Sequence, residues 1–193
     1  MDENRIRNRS APTFQGDFLV ADPKLSHSAF EQSVIFVLQD DHHGTFGVVL
    51  NQMSSSHFVD GLSSGLALRE LQNAPFRSGV EISLPIFAIH QSKALADIEI
   101  SDGIFLSAES SKLDTLMHQI SVPYRIVFGV VGWEKEEIRS EIAQGFWCPM
   151  SAAPEQIFGD PQTIWRDCWK RRSRERFTEV VGELKFPPHP QCN

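Results

Sequence analysis

Residues Tyr124–Trp147 read YRIVFGVVGWEKEEIRSEIAQGFW, an apolar run followed by a turn and a charged segment. The run Tyr124–Val131 predicts a buried strand, which we expect Gly132 to end. The polar segment Trp133–Gln144 predicts a helix with a narrow apolar side, and Gly145 is placed to end it. Strand, turn and helix in this order indicate a structural corner, in which the two tryptophans pack against neighbouring elements.

Short apolar runs elsewhere in the chain predict further strands. They are rich in β-branched and aromatic residues and are bounded by residues that favour turns. The predicted strands are Phe18–Ala21, Ser33–Leu38, Thr45–Leu50, Ile82–His90, Ile98–Leu106 and Phe146–Met150. The second and third are joined by a short Asp/His/Gly loop and therefore predict a hairpin. We expect Ile98–Leu106 to bend at Asp102-Gly103.

Helices are predicted where apolar residues recur every three or four positions. One covers Ser110–Ile120, a short one covers Leu66–Gln72, and a last one covers Gln162–Arg172. Pro154 suits the first turn of a further helix. The last helix has one apolar face, formed by Ile164, Trp165, Cys168 and Trp169. Because strands cluster rather than alternate strictly with helices, the pattern favours an α+β fold with a mostly antiparallel sheet flanked by helices.

The length of 193 residues suits one domain, and no interior linker or repeat interrupts it. Residues 1–14 are polar, so we expect a mobile N-terminal arm. We place a single domain over residues 15–176. A C-terminal tail follows over residues 177–193.

Charge is distributed unevenly along the chain. The net charge is −7, which argues against a surface that coats nucleic acid everywhere. Six basic and two acidic residues fall within Arg166–Arg176, whereas the rest of the chain carries 12 basic and 23 acidic residues. An acidic body thus bears a basic C-terminal stretch.

The chain shows no signature of export or of a membrane span. Its three cysteines form no disulfide framework, and its first residues are too charged for a signal peptide. No apolar run approaches the roughly 18–20 residues of a membrane helix. We therefore expect a cytoplasmic protein without membrane contact.

A set of residues spread across the chain carries a family resemblance. They are Gly16, Phe18–Ala21, Pro23, Leu25, Phe30, Ser33–Ile35, Gly44, Gly47, Val49–Asn51, Gly129, Gly132-Trp133, Glu141-Ile142, Trp147 and Ile157-Phe158. Their order and spacing over roughly residues 16–170 resemble the AlgH/YqgE family of bacterial proteins. Two segments depart from the family pattern. Gly79–Pro85 stands where a Gly-Gly-Pro segment is usual, and Glu134–Arg139 stands where Gly and Gln-Leu-Glu are usual.

The resemblance implies an α+β fold whose bent sheet wraps into a partial barrel, and a cytoplasmic location. Members of that family have been called transcriptional regulators, without an established DNA-binding motif or chemistry. Fold alone does not assign function.

Two motifs invite a catalytic or metal interpretation. Gly61–Gly65 matches the Gly-x-Ser-x-Gly pattern around Ser63, which in a hydrolase follows a buried strand. The preceding Ser54–Asp60 is a poor strand, so a flexible loop is favoured. Asp40–His43 groups four potential metal ligands, but adjacent side chains seldom converge on one ion. A solvated turn is therefore favoured there.

Three further features, near the predicted corner and the hairpin, each allow both a functional and a structural interpretation. Glu137 and Glu141 form an i, i+4 carboxylate pair that could perform acid–base chemistry, but a solvated helix face is favoured. Gly129–Gly132 lies at a strand-to-helix junction, yet it lacks a phosphate-binding fingerprint and is followed by acids. Asn51 is expected to satisfy loop backbone groups.

Lys170, Arg171 and Arg172 form the centre of the basic stretch and are the candidate contacts to nucleic acid. The sequence shows no recognisable DNA-reading module.

We therefore assign no catalytic, cofactor-binding or metal-binding residue. The leading hypothesis is a non-catalytic partner-binding or regulatory protein that uses the region of Trp133 and Trp147 and the concave side of the sheet. A DNA-binding regulator is the second hypothesis. An enzyme using Ser63, or Glu137 with Glu141, is the third.

Overall fold

The computed structural model describes residues 13–51, 85–118, 121–134 and 136–183. Its strands are β1 Asp17–Ala21, β2 Val34–Asp41, β3 Gly44–Val49, β4 Ile86–His90, β5 Ile98–Ser101, β6 Ile104–Ser107, β7 Tyr124–Phe128, β8 Val131–Trp133 and β9 Trp147–Ser151. Its α-helices are α1 Ser110–His118, α2 Glu137–Ala143, α3 Pro154–Ile157 and α4 Ile164–Glu183. Short 3-10 turns lie at Pro23–Leu25 and Lys93–Leu95. The predicted helix Leu66–Gln72 and the Gly61–Gly65 motif lie outside the described residues.

Within the described residues, the strands form two antiparallel sheets. The first has five strands in the order β8-β3-β2-β1-β9, and the second has four in the order β5-β6-β4-β7. Neither sheet closes on itself, and helices flank both. The α+β class predicted from the clustering of strands is confirmed.

Strands β1 and β2 each contain a continuous apolar run, Phe18–Ala21 and Val34–Leu38, because both faces of the sheet are covered there. Phe18 and Val20 of β1 enter a core shared with the second sheet and with helices α3 and α4, which we call cluster 1. Leu19 and Ala21 point to the opposite face, where they meet α2 in cluster 2. Side chains alternate between the faces of a strand, so a doubly covered strand needs apolar residues at every position.

Each sheet thus has its own outer layer. Helix α2 lies over cluster 2 through Ile138, and α1 lies over the second sheet through Leu113 and Leu116 in cluster 3. The fold therefore stacks helix, sheet, sheet and helix, with cluster 1 in the centre.

The hairpin predicted for the first third of the chain is confirmed, with β2 paired to β3. Gly47 is required at its centre because a Cβ there would lie 2.6 Å from Cγ2 of Ile35 and 2.8 Å from the carbonyl oxygen of Phe36. The strand predicted over Ile98–Leu106 is instead two strands, β5 and β6, joined at Gly103 with a φ of 71°.

The predicted turn at Gly132 is wrong. The chain turns at Gly129, whose φ is 71°, and Gly132 lies inside β8 opposite Phe46. A Cβ on Gly132 would lie 3.0 Å from Cδ1 of Phe46, so the ring of Phe46 takes the space of the missing side chain. Glycine serves close packing at that position.

Two helices differ from their predicted bounds. Helix α2 begins at Glu137 rather than near Trp133, because Trp133 extends β8. Helix α4 runs to Glu183, so the predicted domain boundary at residue 176 falls inside it. In the described part of the chain, no helix combines the length and apolar character needed to cross a bilayer.

Candidate functional site

The corner predicted from Tyr124–Trp147 is built around one carboxylate. Glu141 on α2 accepts hydrogen bonds from both tryptophan indoles through Oε2, 2.7 Å from Nε1 of Trp147 and 3.1 Å from Nε1 of Trp133. The two rings meet edge to face with centroids 5.7 Å apart. Burying an indole requires a partner for its N–H group, and one oxygen here serves two.

The tryptophan contact also reports the shape of the first sheet. Trp133 lies on β8 and Trp147 on β9, the two edge strands of that sheet. In a flat sheet with strands about 4.8 Å apart, these edges would be separated by roughly 19 Å. The ring contact shows that the sheet curls toward a partial barrel, as the family resemblance implies.

The concave side of this curled sheet is filled by protein side chains. Trp133 and Trp147 are buried there with Leu19, Ile35 and Ile138. The expectation that the concavity and the two tryptophans form an accessible binding surface is therefore wrong, because α2 and its own apolar residues occupy that space.

Glu137 and Glu141 have different surroundings and different hydrogen-bond partners. Glu137 is exposed and accepts the backbone N–H of Glu134 at 2.9 Å, at the start of α2. Glu141 is half-buried against the indoles. The prediction of a solvated face holds for Glu137 and is wrong for Glu141, whose role is to pair two buried donors.

The segment Gly129–Gly132 has no geometry for binding phosphate. Gly132 is extended in β8, and Glu134 and Glu137 lie between it and the body of α2. Carboxylates at that place oppose an anionic ligand, in agreement with the sequence interpretation.

Asp40 anchors a second buried polar contact, between β2 and α2. Its carboxylate accepts hydrogen bonds from the N–H of Phe14 at 2.8 Å and from Oγ1 of Thr45 at 2.6 Å. Nη2 of Arg139 lies 3.4 Å from the same group, and its guanidinium stacks over the ring of Phe14 at 5.1 Å. The Asp40 side chain is 3% exposed, so the predicted solvated turn is wrong for this residue.

Burial alone would raise the pKa of Asp40. The hydrogen bonds from Thr45, Phe14 and Arg139, together with the positive charge of Arg139, outweigh burial and hold the pKa below its ordinary value of 3.8. The folded state therefore binds the Asp40 proton more weakly than the unfolded chain does.

This shift predicts a pH-dependent effect of Asp40→Asn. Because the folded pKa is depressed, the contribution of Asp40 is complete above pH about 4 and is lost as the pH falls through the folded pKa. We expect Asp40→Asn to lower the free energy of unfolding by about 2 kcal/mol at pH 7, with the difference shrinking below pH about 3.8. Urea unfolding across this pH range measures it.

The matched control is Asp102→Asn in the exposed β5–β6 turn. It should change the free energy of unfolding at pH 7 by less than about 0.5 kcal/mol. A constant difference between the Asp40→Asn protein and the parent from pH 7 to pH 3 would contradict the assigned role of Asp40.

The other side chains of the Asp40–His43 turn contact their immediate neighbours in the hairpin. Asp41 accepts the N–H of His43 at 2.8 Å and Nε2 of Gln39 at 2.7 Å, and the rings of His42 and His43 stack with centroids 3.8 Å apart. Among the residues that the structure describes, no group of three or more His, Cys, Asp or Glu side chains is placed to hold a metal ion.

Asn51 has the predicted role of satisfying backbone groups. Its Oδ1 accepts the N–H of Val34 at 2.8 Å, and its Nδ2 donates to the carbonyl oxygen of Gln32 at 2.7 Å. The side chain thereby fixes the end of the hairpin to the loop that precedes β2.

Arg125 is a half-buried cation that the sequence interpretation missed. It lies on β7 and points into the space between the sheets, where its guanidinium donates to three backbone carbonyls. These belong to Ile157 at 2.5 Å, Leu50 at 3.2 Å and Gly159. Burial lowers the pKa of Arg125, and nearby Asp160 opposes that effect. One side chain thus ties the second sheet to the end of β3 and to α3.

His90 and Ser107 form a buried pair that superficially suggests a nucleophile and its base. The N–H of Ser92 donates to Nδ1 of His90, so the proton of the neutral ring is on Nε2 and points to Oγ of Ser107 at 2.9 Å. The Ser107 hydroxyl donates to the carbonyl oxygen of Leu95. A general base would have to accept from the serine, so this direction of donation excludes activation in this arrangement.

Burial also lowers the pKa of His90, with Lys112 adding to the effect and Asp97 opposing it. A neutral His90 fits its enclosed position between β4 and β6. The pair therefore serves to satisfy polar groups inside the second sheet.

The two described cysteines are free thiols with little tendency to ionise. Burial raises the pKa of Cys168 to about 11 and also raises the pKa of Cys148. Nucleophilic cysteine chemistry requires a lowered thiol pKa. Cys168 instead packs in cluster 1.

The basic stretch does not present its three candidate residues in the same way. Arg171 is turned inward, where it donates to Oε1 of Gln156 at 2.7 Å and to the carbonyl oxygen of Ser151 at 2.7 Å. Arg172 is half-buried, while Lys170 is 57% exposed and lies 3.4 Å from Asp167. Arg171 thus holds α4 to β9 and α3.

Apolar side chains come to the surface beside the corner. Phe46 on β3 is 36% exposed and Val130, just before β8, is 42% exposed. Gly132 is also exposed and is covered on one side by the ring of Phe46. We call these three residues the β3–β8 surface. It lies along β8, an edge strand of the first sheet.

Comparison with known proteins gives consistent matches. The family model described as AlgH-like, DUF179, matches residues 18–175. A UPF0301 protein of Thermobifida fusca is 31% identical over 92% of this chain and 94% of its own length.

Two solved structures have a similar fold. The solution structure of the AlgH protein from Pseudomonas aeruginosa matches with a TM-score of 0.62 and 18% identity, over 97% of this chain and 100% of its own. A crystal structure of a Corynebacterium diphtheriae protein matches with a TM-score of 0.61 and 20% identity, over 89% of this chain and 94% of its own. At these identities the likeness establishes the fold alone.

Proposed function

The chain belongs to the AlgH-like family, and on that premise we propose that it is a non-catalytic cytoplasmic protein that binds a partner protein through the β3–β8 surface. The proposal is supported by the different roles of the polar and the apolar residues at the corner. Its polar groups hold the fold, whereas Phe46 and Val130 lie exposed beside them.

The potentially reactive groups of the described residues already have partners within the fold. Glu141 accepts from two indoles, Asp40 is paired with Arg139, and His90 donates to Ser107. Each group is used by the fold in its resting state, and a catalytic role would require one of these contacts to break. The hydrolase hypothesis at Ser63 concerns a residue outside the described part of the chain.

The β3–β8 surface combines an edge strand with exposed apolar side chains. β8 ends the first sheet and pairs only with β3 among the described strands. An edge strand offers unpaired backbone groups, and an extended segment of another protein can add to it. Phe46 and Val130 would supply the apolar contacts that such a segment needs for specificity. We therefore expect an extended partner segment with apolar side chains.

Site-specific crosslinking tests this function. A photo-reactive phenylalanine analogue is placed at position 46 or at position 130, and the protein is irradiated in its native host. We expect both positions to give an adduct with the same partner, identified by mass spectrometry.

Position 98 provides the matched control, since Ile98 is 57% exposed on β5, in the other sheet. It should give no adduct with that partner. Equal adducts from positions 46, 130 and 98, or none from positions 46 and 130, would refute the proposed surface.

A further inference from the structure

Helix α4 has an inward side and an outward side. Ile164 and Cys168 are buried in cluster 1, and Arg171 is tied to α3 and β9. Successive residues of a helix are 100° apart, so positions i, i+4 and i+8 follow one side. Arg166, Lys170 and Arg174 stand in that relation, and all three are exposed.

The same outward line continues to an aromatic side chain. Phe177 follows Arg174 by three positions and is 70% exposed, the largest exposure among the large apolar residues that the structure describes. From Ser173 to Thr178 every residue is exposed, so this part of α4 projects beyond the body. We call Arg166, Lys170, Arg174 and Phe177 the α4 stripe.

We propose that the α4 stripe binds single-stranded nucleic acid. Its cations recur every 6 Å or so along the helix axis, which lets each meet a different phosphate of an extended strand. An exposed aromatic ring at the end of a cationic track provides a stacking platform for an unpaired base. This surface is separate from the β3–β8 surface, so the inference goes beyond the proposed partner binding.

The charges around the α4 stripe leave it positive. Among the described side chains, Asp167 is the acid in contact with the α4 stripe, 3.4 Å from Nζ of Lys170, and it offsets one of the three positive charges. Glu175 lies 3.8 Å from Nε of Arg171, toward the inward side of the helix. At 100° per residue, Arg172 and Arg176 fall on other sides of the helix from the α4 stripe, where Arg172 is half-buried and Arg176 is exposed.

Other anionic partners fit the α4 stripe less well. A membrane-surface helix needs a broad apolar face, and the described part of this stripe offers Phe177 alone. Duplex DNA keeps its bases stacked, so it gives an exposed phenylalanine no base to stack on. An unpaired strand uses both the cations and the ring.

Fluorescence anisotropy with a labelled 20-nucleotide oligothymidylate tests the inference. If each of the three cations meets a phosphate, the logarithmic salt slope should be about −2, which makes binding about 20-fold weaker at 200 mM than at 50 mM salt. Arg174→Gln should reduce that slope by about 0.7. Phe177→Ala should weaken binding by about tenfold.

Two controls lie next to the tested positions on other sides of the helix. Arg176→Gln removes the same charge two residues from Arg174, and Thr178→Ala changes the neighbour of Phe177. Both should leave binding within about twofold of the parent.

Three results would overturn the inference. These are no binding at 50 mM salt, an equal loss in Arg174→Gln and Arg176→Gln, and full affinity in Phe177→Ala. Equal binding to anionic lipid vesicles or to polyglutamate would also overturn it, since that outcome describes a general attraction to polyanions.

Discussion

Replacing Glu141 with alanine should lower the free energy of unfolding by about 3 kcal/mol. The substitution removes the acceptor of two indole N–H groups, those of Trp133 and Trp147, both of which are buried. An unsatisfied buried donor costs about 1–3 kcal/mol, and two are left here. For a chain of this length the loss corresponds to a decrease in melting temperature of roughly 6–12 °C. Denaturant unfolding followed by tryptophan fluorescence measures it.

Glu141→Gln separates the hydrogen bonds from the charge. A glutamine can place its amide oxygen where Oε2 lies and still accept from both indoles, so we expect a loss of about 1 kcal/mol. Glu137→Ala, one turn earlier and exposed, should cost less than about 1 kcal/mol. If Glu141→Ala were no more harmful than Glu137→Ala, the carboxylate would have no structural role in the corner.

Replacing Arg125 with methionine should destabilise the protein by a similar amount, about 3 kcal/mol. Methionine fills much of the same volume but donates nothing, so the carbonyls of Leu50, Ile157 and Gly159 lose a charged donor. Hydrogen bonds to charged groups contribute more than neutral ones, and buried carbonyls left unpaired add to the cost. Thermal and denaturant unfolding both report it.

Arg125→Lys separates the effect of the positive charge from the effect of the guanidinium geometry. A lysine retains the charge but lacks the planar fork that reaches three separate carbonyls, so we expect it to recover less than half of the loss. Arg166→Met on the outward side of α4 serves as the control for removal of an arginine and should be nearly neutral. Full recovery by lysine would show that the charge of Arg125 matters and its geometry does not.

The strands were predictable because local pattern and burial agree in them. β1 and β2 are covered on both faces, which requires apolar residues at successive positions, and that requirement is visible in Phe18–Ala21 and Ser33–Leu38. The hairpin was predictable for the same reason, together with its Asp/His/Gly turn. Its buried Asp40 was not, because the partner Arg139 lies 99 residues along the chain.

The glycines of the corner show why a turn cannot always be located from the sequence. A glycine can mark a turn or a close approach, and the sequence does not distinguish the two. Gly129 takes the positive φ of the turn, while Gly132 makes room for the ring of Phe46. The position of Phe46 depends on the pairing of β3 with β8, which no local pattern specifies.

Helix α4 shows that the end of a helix can also be missed in the sequence. Its first half has an apolar face because it packs on cluster 1, and that half was predicted as Gln162–Arg172. Its second half projects from the body, so no burial pattern marks it as helical. The end of this helix could not be predicted because its residues are exposed and show no apolar pattern.

The sequence located the candidate site, but the roles predicted for some of its residues were wrong. The tryptophans were predicted to pack, which is confirmed, yet they were also expected to border an accessible surface. Glu141 was predicted to be solvated because charged neighbours surround it on α2. Its contact with two strands from opposite edges of the sheet arises only when the sheet curls.

We propose that the β3–β8 surface binds a partner, whereas the corner beside it holds the fold. The most direct measurement is the yield of the position 46 adduct in protein carrying Val130→Asp, with Ile98→Asp as the matched control. Both changes place a charge at an exposed apolar position, so circular dichroism and melting temperature should stay close to the parent. We predict that Val130→Asp lowers the adduct yield about tenfold or more and that Ile98→Asp leaves it unchanged. An unchanged yield in folded Val130→Asp protein would contradict the account.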